Sequence, residues 1–262
     1  MKKFVLFVLL SSLFGFSQEK TTTQDFGLNP KTETVVSKQI WANADYNKGV
    51  YLETLTFYNT YLQSKKNQDG EYITEDKYFY NIDNQLIRIE TLHHNSEQTE
   101  AVKFYYQNGK LSSKEFYMND KLVTKTSYTY DKNGRLLTET EKSLKNEFVS
   151  VVNYSNYVND NTYTKSSVDY KDNKVLQKMV EYYVNGLVSL EESEMYNLKS
   201  TRKLIYSTNR RLVKEIINND EMNVYSYKFD ENGNPTKIFK MNNRYKGDSI
   251  IMIQNTYSDF KN

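Results

Sequence analysis

The chain has 262 residues, with 35 Lys and Arg against 33 Asp and Glu, no cysteine, 24 tyrosines and a mean hydropathy of −0.78. Without a thiol it has no disulfide framework, no lipid-anchoring cysteine and no thiolate chemistry. Its near-neutral, interspersed charge, as in the segment TETEKSLKNE, excludes the concentrated basic surface that a nucleic-acid or anionic-membrane partner needs.

Residues 1–17 read as a secretory signal. Lys2 and Lys3 form a positive n-region, Phe4 to Phe16 is an apolar stretch, and Gly15 and Ser17 take the small positions before cleavage. The stretch is short for a membrane span. Removing Lys2 and Lys3 leaves 33 basic and 33 acidic residues, so the mature chain is formally neutral. Export to the periplasm, the cell surface or the medium is expected.

Residues 18–40 are polar and Thr-rich, with Pro30 one of only two prolines, and read as a lead-in strand or N-terminal arm. Trp41, the only tryptophan, is expected to plug the N-terminal end of a sheet, since terminal repeats need a cap. Residues 41–262 read as one repeat domain. In it, Tyr51 to Tyr61 is read as strand and Asn67 to Gly70 as a turn. Of the glycines outside the signal, all but Gly27 fall in proposed turns.

The clearest unit is Tyr128 to Leu136, YTYDKNGRL. Asp at the start of a type I turn accepts hydrogen bonds from the turn backbone, and Gly at its end takes a positive φ. This predicts a three-residue loop with a G1 bulge, Asp131 opposite Arg135 and Tyr130 opposite Leu136. In YYQNGKL a two-residue type I′ loop at Asn108-Gly109 puts Tyr106 opposite Leu111. The same count pairs Tyr183 with Val188. The longer loops pair Tyr80 with Leu86, across Asn84 in the glycine place, Tyr206 with Leu212, and Phe229 with Pro235. Tyr157 and Tyr163 flank a degenerate copy.

The leading aromatics, Tyr80, Tyr106, Tyr130, Tyr157, Tyr183, Tyr206 and Phe229, lie 23 to 27 residues apart. That is two strands and two turns each. Further turn signals between them, such as Asn119-Asp120, Asp172-Asn173 and Asn218-Asn219, leave no room for crossover helices. The expected fold is all-β: an antiparallel meander of repeated hairpins, about 16–18 strands, forming one curled sheet or an open coil. Tyrosine is expected to do the packing, burying its ring while its hydroxyl stays wet.

The unit resembles the YD-repeat of Rhs-type proteins: Tyr130, Asp131, Gly134, Arg135 and Leu136 match fully, Phe229, Asp230 and Gly233 in part. The shorter Tyr106, Gly109, Leu111 copy also resembles the MORN-like variant repeats of small bacterial antitoxin-type proteins. The likeness spans about residues 51–257. It implies a β-repeat scaffold; the chain is too short for the cargo-enclosing cocoon of the Rhs family.

No catalytic, metal or cofactor site emerges. His93 and His94, the only histidines, point to opposite faces of a strand and cannot share one metal. Glu191-Glu192 and Glu139-Glu141 are chance acid pairs among 33. Asp131-x-Asn133-Gly134 lacks the downstream bidentate Glu of a calcium loop. The seven aromatics remain as packing residues or as a surface for sugars or a peptide strand, with an exposed sheet edge open to strand addition. The expected function is a non-enzymatic, exported binding or scaffold module whose partner is a protein or glycan. Alternatives are an immunity-type protein that neutralises a toxin, and an outer-membrane β-barrel. Against the barrel, strict alternation gives Leu136, Thr138, Thr140 and Lys142 on one face and Leu137, Glu139, Glu141 and Ser143 on the other, neither apolar enough for lipid. No membrane insertion is therefore expected after signal removal.

Overall fold

A computed structural model describes residues 22–24, 30–43, 46–229, 235–242 and 250–259; residues 1–17, read above as a signal, and the turn expected at Asp230 and Gly233 lie outside them. The fold is all-β. The first nine strands are β1 (Thr32–Asn43), β2 (Tyr46–Tyr58), β3 (Tyr61–Asp69), β4 (Tyr72–Tyr80), β5 (Leu86–His93), β6 (Thr99–Gln107), β7 (Lys110–Met118), β8 (Lys121–Tyr130) and β9 (Leu136–Ser143). The rest are β10 (Phe148–Asn159), β11 (Thr162–Lys171), β12 (Lys174–Val184), β13 (Leu187–Met195), β14 (Leu198–Tyr206), β15 (Leu212–Ile217), β16 (Asp220–Phe229), β17 (Pro235–Asn242) and β18 (Ile250–Asp259).

Each strand pairs antiparallel with the next, as the turn spacing predicts. Of the two expected forms, one curled sheet or an open coil, the chain takes the first. The curl runs full circle, because β1 pairs with β2 on one side and with β18, from Thr32↔Asp259 to Ala42↔Ile250, on the other. The lead-in stretch therefore supplies the closing strand. Closure leaves no unpaired strand edge among the described residues, so the exposed edge expected for strand addition is not found among them. Trp41 pairs in register with Gly49, which stands inside β2 and not in a turn; the side chain of Trp41 lies outside the described residues.

The turns carry the conformations their residues favour. Gly134 has φ +85°, its N–H donates to the Asp131 carbonyl at 2.9 Å, and Asp131 N–H donates to the Arg135 carbonyl at 2.8 Å. Asn84 takes the same place in the 81–85 loop at φ 59°, and so does Arg210, at φ 60°, in the 207–211 loop. Asn108-Gly109 and Asn185-Gly186 both have two positive φ values, the type I′ signature. One turn carries no such signal. Tyr51 to Tyr61 is not one strand, because Asn59-Thr60 (φ 47° and 71°) makes a tight hairpin and sets Phe57 opposite Leu62. A β-branched residue at positive φ is a steric outlier, so Thr60 does not announce a turn.

The sheet has a clear inside and outside. On β8, Thr126 and Tyr128 are buried while Lys125, Ser127 and Thr129 are exposed. Followed through the registers, the inner face carries Leu55, Phe57, Leu62, Ile89, Phe104 and Leu136 with most of the tyrosines, and the outer face mixes Lys, Glu, Ser and Thr with exposed Leu92, Tyr105, Leu137 and Tyr182. Strict alternation along β9 fails at its first step. The ladder shifts between Thr129 and Tyr130, so Leu136 faces inward with Glu139 and Glu141, opposite Thr138 and Thr140. A bulge inserts one residue, here Leu137, and turns over the face of the strand beyond it.

Candidate functional site

All the predicted aromatic pairs form: Tyr80↔Leu86, Tyr106↔Leu111, Tyr130↔Leu136, Tyr183↔Val188, Tyr206↔Leu212 and Phe229↔Pro235. Each stands beside a turn at one rim of the ring, with a register shift at the aromatic. Tyr157 falls within the register shift of the β10–β11 ladder, between Ser155 and Asn159, yet its ring stacks on Tyr163, which stacks in turn on Tyr183 at 4.6 Å. Tyr183 is buried; Tyr80, Tyr106, Tyr130 and Tyr157 are half-buried against the same cluster. Phe229 is exposed, next to Tyr227.

The hydroxyls are not wet. Tyr80 donates to the carbonyl of Leu62 (2.7 Å), Tyr106 to that of Leu86 (2.9 Å), Tyr130 to that of Leu111 (2.8 Å) and Tyr157 to that of Leu136 (2.7 Å). Each of these four tyrosines thus fastens to the leucine of the unit before it. Where Phe229 has no hydroxyl, Tyr227 reaches the Leu212 carbonyl instead (2.7 Å). These carbonyls sit at the bulges, where regular ladder pairing is interrupted, and a phenol supplies the donor. Burial raises the pKa of Tyr106, Tyr130 and Tyr157.

The residue just before each leucine clasps forward as well. Lys110 Nζ lies 5.3 Å from the Tyr130 ring centre, Arg135 Cζ 4.8 Å from that of Tyr157, and Arg211 Cζ 4.1 Å from that of Phe229. Asp131 aims Arg135: its Oδ2 accepts from Nε at 2.8 Å while Oδ1 accepts from the backbone of Asn133 and Arg135. Desolvation pushes the Asp131 carboxyl up, but the bonds from Arg135 and Asn133 outweigh it and hold it below its ordinary value. The Asp, Arg and Leu of the unit therefore have one shared task, to join one hairpin to the next.

Four of these turns surround a recess of about 640 Å³ on the rim. Tyr106, Tyr130 and Tyr157 line it together with Lys110 and Arg135; Asn84, Gln85, Asn133 and Asn161 bring side-chain amides, and Asp83 and Asp160 bring carboxylates. A smaller recess beside it is bounded by Asp160, Asn161, Asn185 and Arg210. Of the seven predicted aromatics, Tyr106, Tyr130 and Tyr157 meet at the larger recess, and Tyr80, Tyr183, Tyr206 and Phe229 do not line it.

A second polar band lies deeper on the inner face. Lys165 Nζ is 2.8 Å from Glu181 Oε2, and both side chains are nearly covered. Arg202 bridges Glu191 (3.5 Å) and Glu215, which also accepts from Asn223 and Tyr225. Asp76 accepts from Thr91 at 2.6 Å, and burial raises its pKa; burial does the same for Glu191. His93 faces in, 3.2 Å from Glu100 and 2.8 Å from the Tyr72 hydroxyl, while His94 pairs with Glu75 outside. Glu191 and Glu192 diverge, and Glu139 and Glu141 are held by Tyr154 and Thr126. No three His, Asp or Glu side chains converge on a metal position among the described residues.

No protein-family model matches the sequence, and no curated protein matches it. A solved structure does resemble the chain: a porin-like protein from Bacteroides uniformis ATCC 8492, with a TM-score of 0.50 and 13% identity, over 87% of this chain and 98% of that one. At that identity the likeness is one of fold alone.

Proposed function

We propose that the protein is an exported, non-enzymatic binding module that works through the turn rim of its strand ring. The rim recess carries the reading. It gathers ring faces, amides and charges from four hairpins that the tyrosine and arginine clasps hold at fixed spacing, and polar groups fixed around a concave, part-apolar surface are what ligand sites share. The signal-like residues 1–17 and the porin-like fold neighbour support an exported place.

The second reading, an outer-membrane β-barrel, is favoured by the closed eighteen-strand ring and by that neighbour. Lipid demands an apolar outer belt. The outward positions here include Glu75 and Lys77 on β4, Arg88 and Glu90 on β5, Thr138, Thr140 and Lys142 on β9, and Lys199, Thr201 and Lys203 on β14. Ile87, Leu92, Tyr105, Leu137 and Tyr182 are exposed as well, but the charges interleaved with them suit water better than lipid and support the reading of a water-borne module of the periplasm or cell surface. The immunity-type alternative has no support beyond the repeat resemblance.

Residues 18–262, expressed without detergent, should remain monodisperse in sedimentation and should retain periplasmic or surface material in a pull-down that Asn133→Ala weakens. Recovery only from the detergent-extracted membrane fraction would favour the barrel; retention indifferent to rim variants would place binding elsewhere.

A further inference from the structure

We infer that the rim recess takes a neutral, hydroxyl-rich ligand, a short oligosaccharide, and not a peptide strand or an acidic polymer. The inference rests on the rim reading above and narrows it to a ligand class. Three observations carry it. First, the ring is closed, so a peptide finds no free strand edge for backbone pairing, the commonest way a sheet binds an extended chain. Second, the recess is balanced in charge: Lys110 and Arg135 share its lining with Asp83 and Asp160. The cations are also committed, Lys110 over Tyr130, and Arg135 both over Tyr157 and to Asp131. No excess field remains to draw in an anion. Third, the remaining polar lining is amide and carboxylate: Asn84, Asn133 and Asn161 beside the two acids, the Gln85 amide being taken up by Asn81 and the Gly109 carbonyl. Amides offer a donor and an acceptor at one group, and carboxylates accept two hydrogen bonds. That set matches adjacent hydroxyls, each of which both donates and accepts. The tyrosine and Phe104 surfaces supply the apolar floor against which C–H groups of a sugar ring pack. A volume of about 640 Å³ lies within the range of small-ligand sites.

The test is titration of residues 18–262 with a neutral gluco-oligosaccharide set, an oligogalacturonate and an unstructured peptide, followed by calorimetry and ligand-observed NMR. A neutral oligosaccharide should bind, and Asn133→Ala and Asp160→Ala should each weaken it about tenfold or more with unchanged melting. Neither side chain makes a hydrogen bond that holds its turn: Asn133 serves its loop through its backbone N–H, and Asp160 is exposed. Lys132→Ala, which does not line the recess, should bind as the parent does. Tighter binding of the oligogalacturonate or the peptide, lost in the same variants, would overturn the neutral-sugar assignment while leaving the rim as the site. Sugar binding unmoved by both variants would overturn the rim reading itself.

Discussion

Gly134 occupies a position that its backbone reserves for glycine. Its φ of +85° resists a side chain, and a Cβ there would also displace the mobile Lys110 ammonium, 2.5 Å away, that sits over Tyr130. Gly134→Val should therefore cost about 2 kcal/mol or more, while Lys132→Val, two positions earlier in the turn and exposed, should cost little; equal shifts in urea midpoint would contradict the loop assignment. The converse holds where ordinary side chains are forced into the same conformation. Thr60 at φ 71° and Arg210 at φ 60° both stand where a glycine is at ease, so Thr60→Gly and Arg210→Gly should each stabilise by about 1 kcal/mol. A lowered midpoint would show that the Thr60 or Arg210 side chain does more in place than its strain costs. Tyr130 is the third case. Tyr130→Phe removes only the bond to the Leu111 carbonyl and should cost about 1 kcal/mol; Tyr130→Ala also empties the cluster and should cost about 3 kcal/mol or more. Thr129→Ala, on the exposed outer face, should be nearly neutral.

Between strands, the inner band of charges makes a different demand. Lys165 and Glu181 neutralise each other across the β11–β12 ladder with 10% and 2% of their side chains exposed. Glu181→Leu alone leaves an ammonium buried and should cost about 3–5 kcal/mol, whereas Lys165→Met with Glu181→Leu should recover most of that loss; additive effects in a double-mutant cycle would mean that the two groups do not couple. This pair also marks how far the sequence can be read. The turn residues announce the hairpins because Asp, Asn and Gly act on their own backbone, and with loop length known each aromatic–leucine register can be counted out. Lys165 and Glu181, by contrast, look like any solvated strand charge, since burial depends on which face the bulges upstream turn inward. The inversion at Leu136–Thr138 shows that dependence directly. The hydroxyl-to-carbonyl clasps were out of reach for the same reason: they join residues about twenty apart whose approach is set by the sheet's curl. Closure was beyond local signals altogether, since β1 and β18 meet only when every intervening strand has added its twist. The rim recess depends on both, so its rings and turns are legible in the sequence while their convergence on one recess is not.

Taken as a whole, the molecule is held together by phenols, and that makes it sensitive to base. Tyr154, Tyr163 and Tyr183 are buried, and in each burial is the leading reason that the pKa lies above its ordinary value, with Glu139 or Glu181 adding to it. Tyr51 is pushed up to about 12, again chiefly by burial, and Tyr206, Tyr225 and Tyr227 move the same way. A phenol that keeps its proton in the fold but releases it in the unfolded chain gives the folded state the larger number of bound protons at high pH. Stability is then full below pH 10, the unfolded value, and falls as pH rises from there toward the raised folded value. For each such ring the loss is about 1.4 kcal/mol per pH unit, so the three buried rings alone remove about 4 kcal/mol per unit. Against a domain stability of about 5–15 kcal/mol, cooperative unfolding is expected within about one to four pH units above 10. Circular dichroism should lose its β signal over the same narrow range in which phenolate absorbance rises, and Tyr130→Phe, which removes one clasp but not the buried trio, should leave the steepness of that transition nearly unchanged. Exposed rings such as Tyr58 and Tyr196 ionise first in either case; phenolate absorbance that reaches its full value while the β signal persists would mean that the buried rings ionise within the intact ring of strands, and that solvent already reaches the inner face.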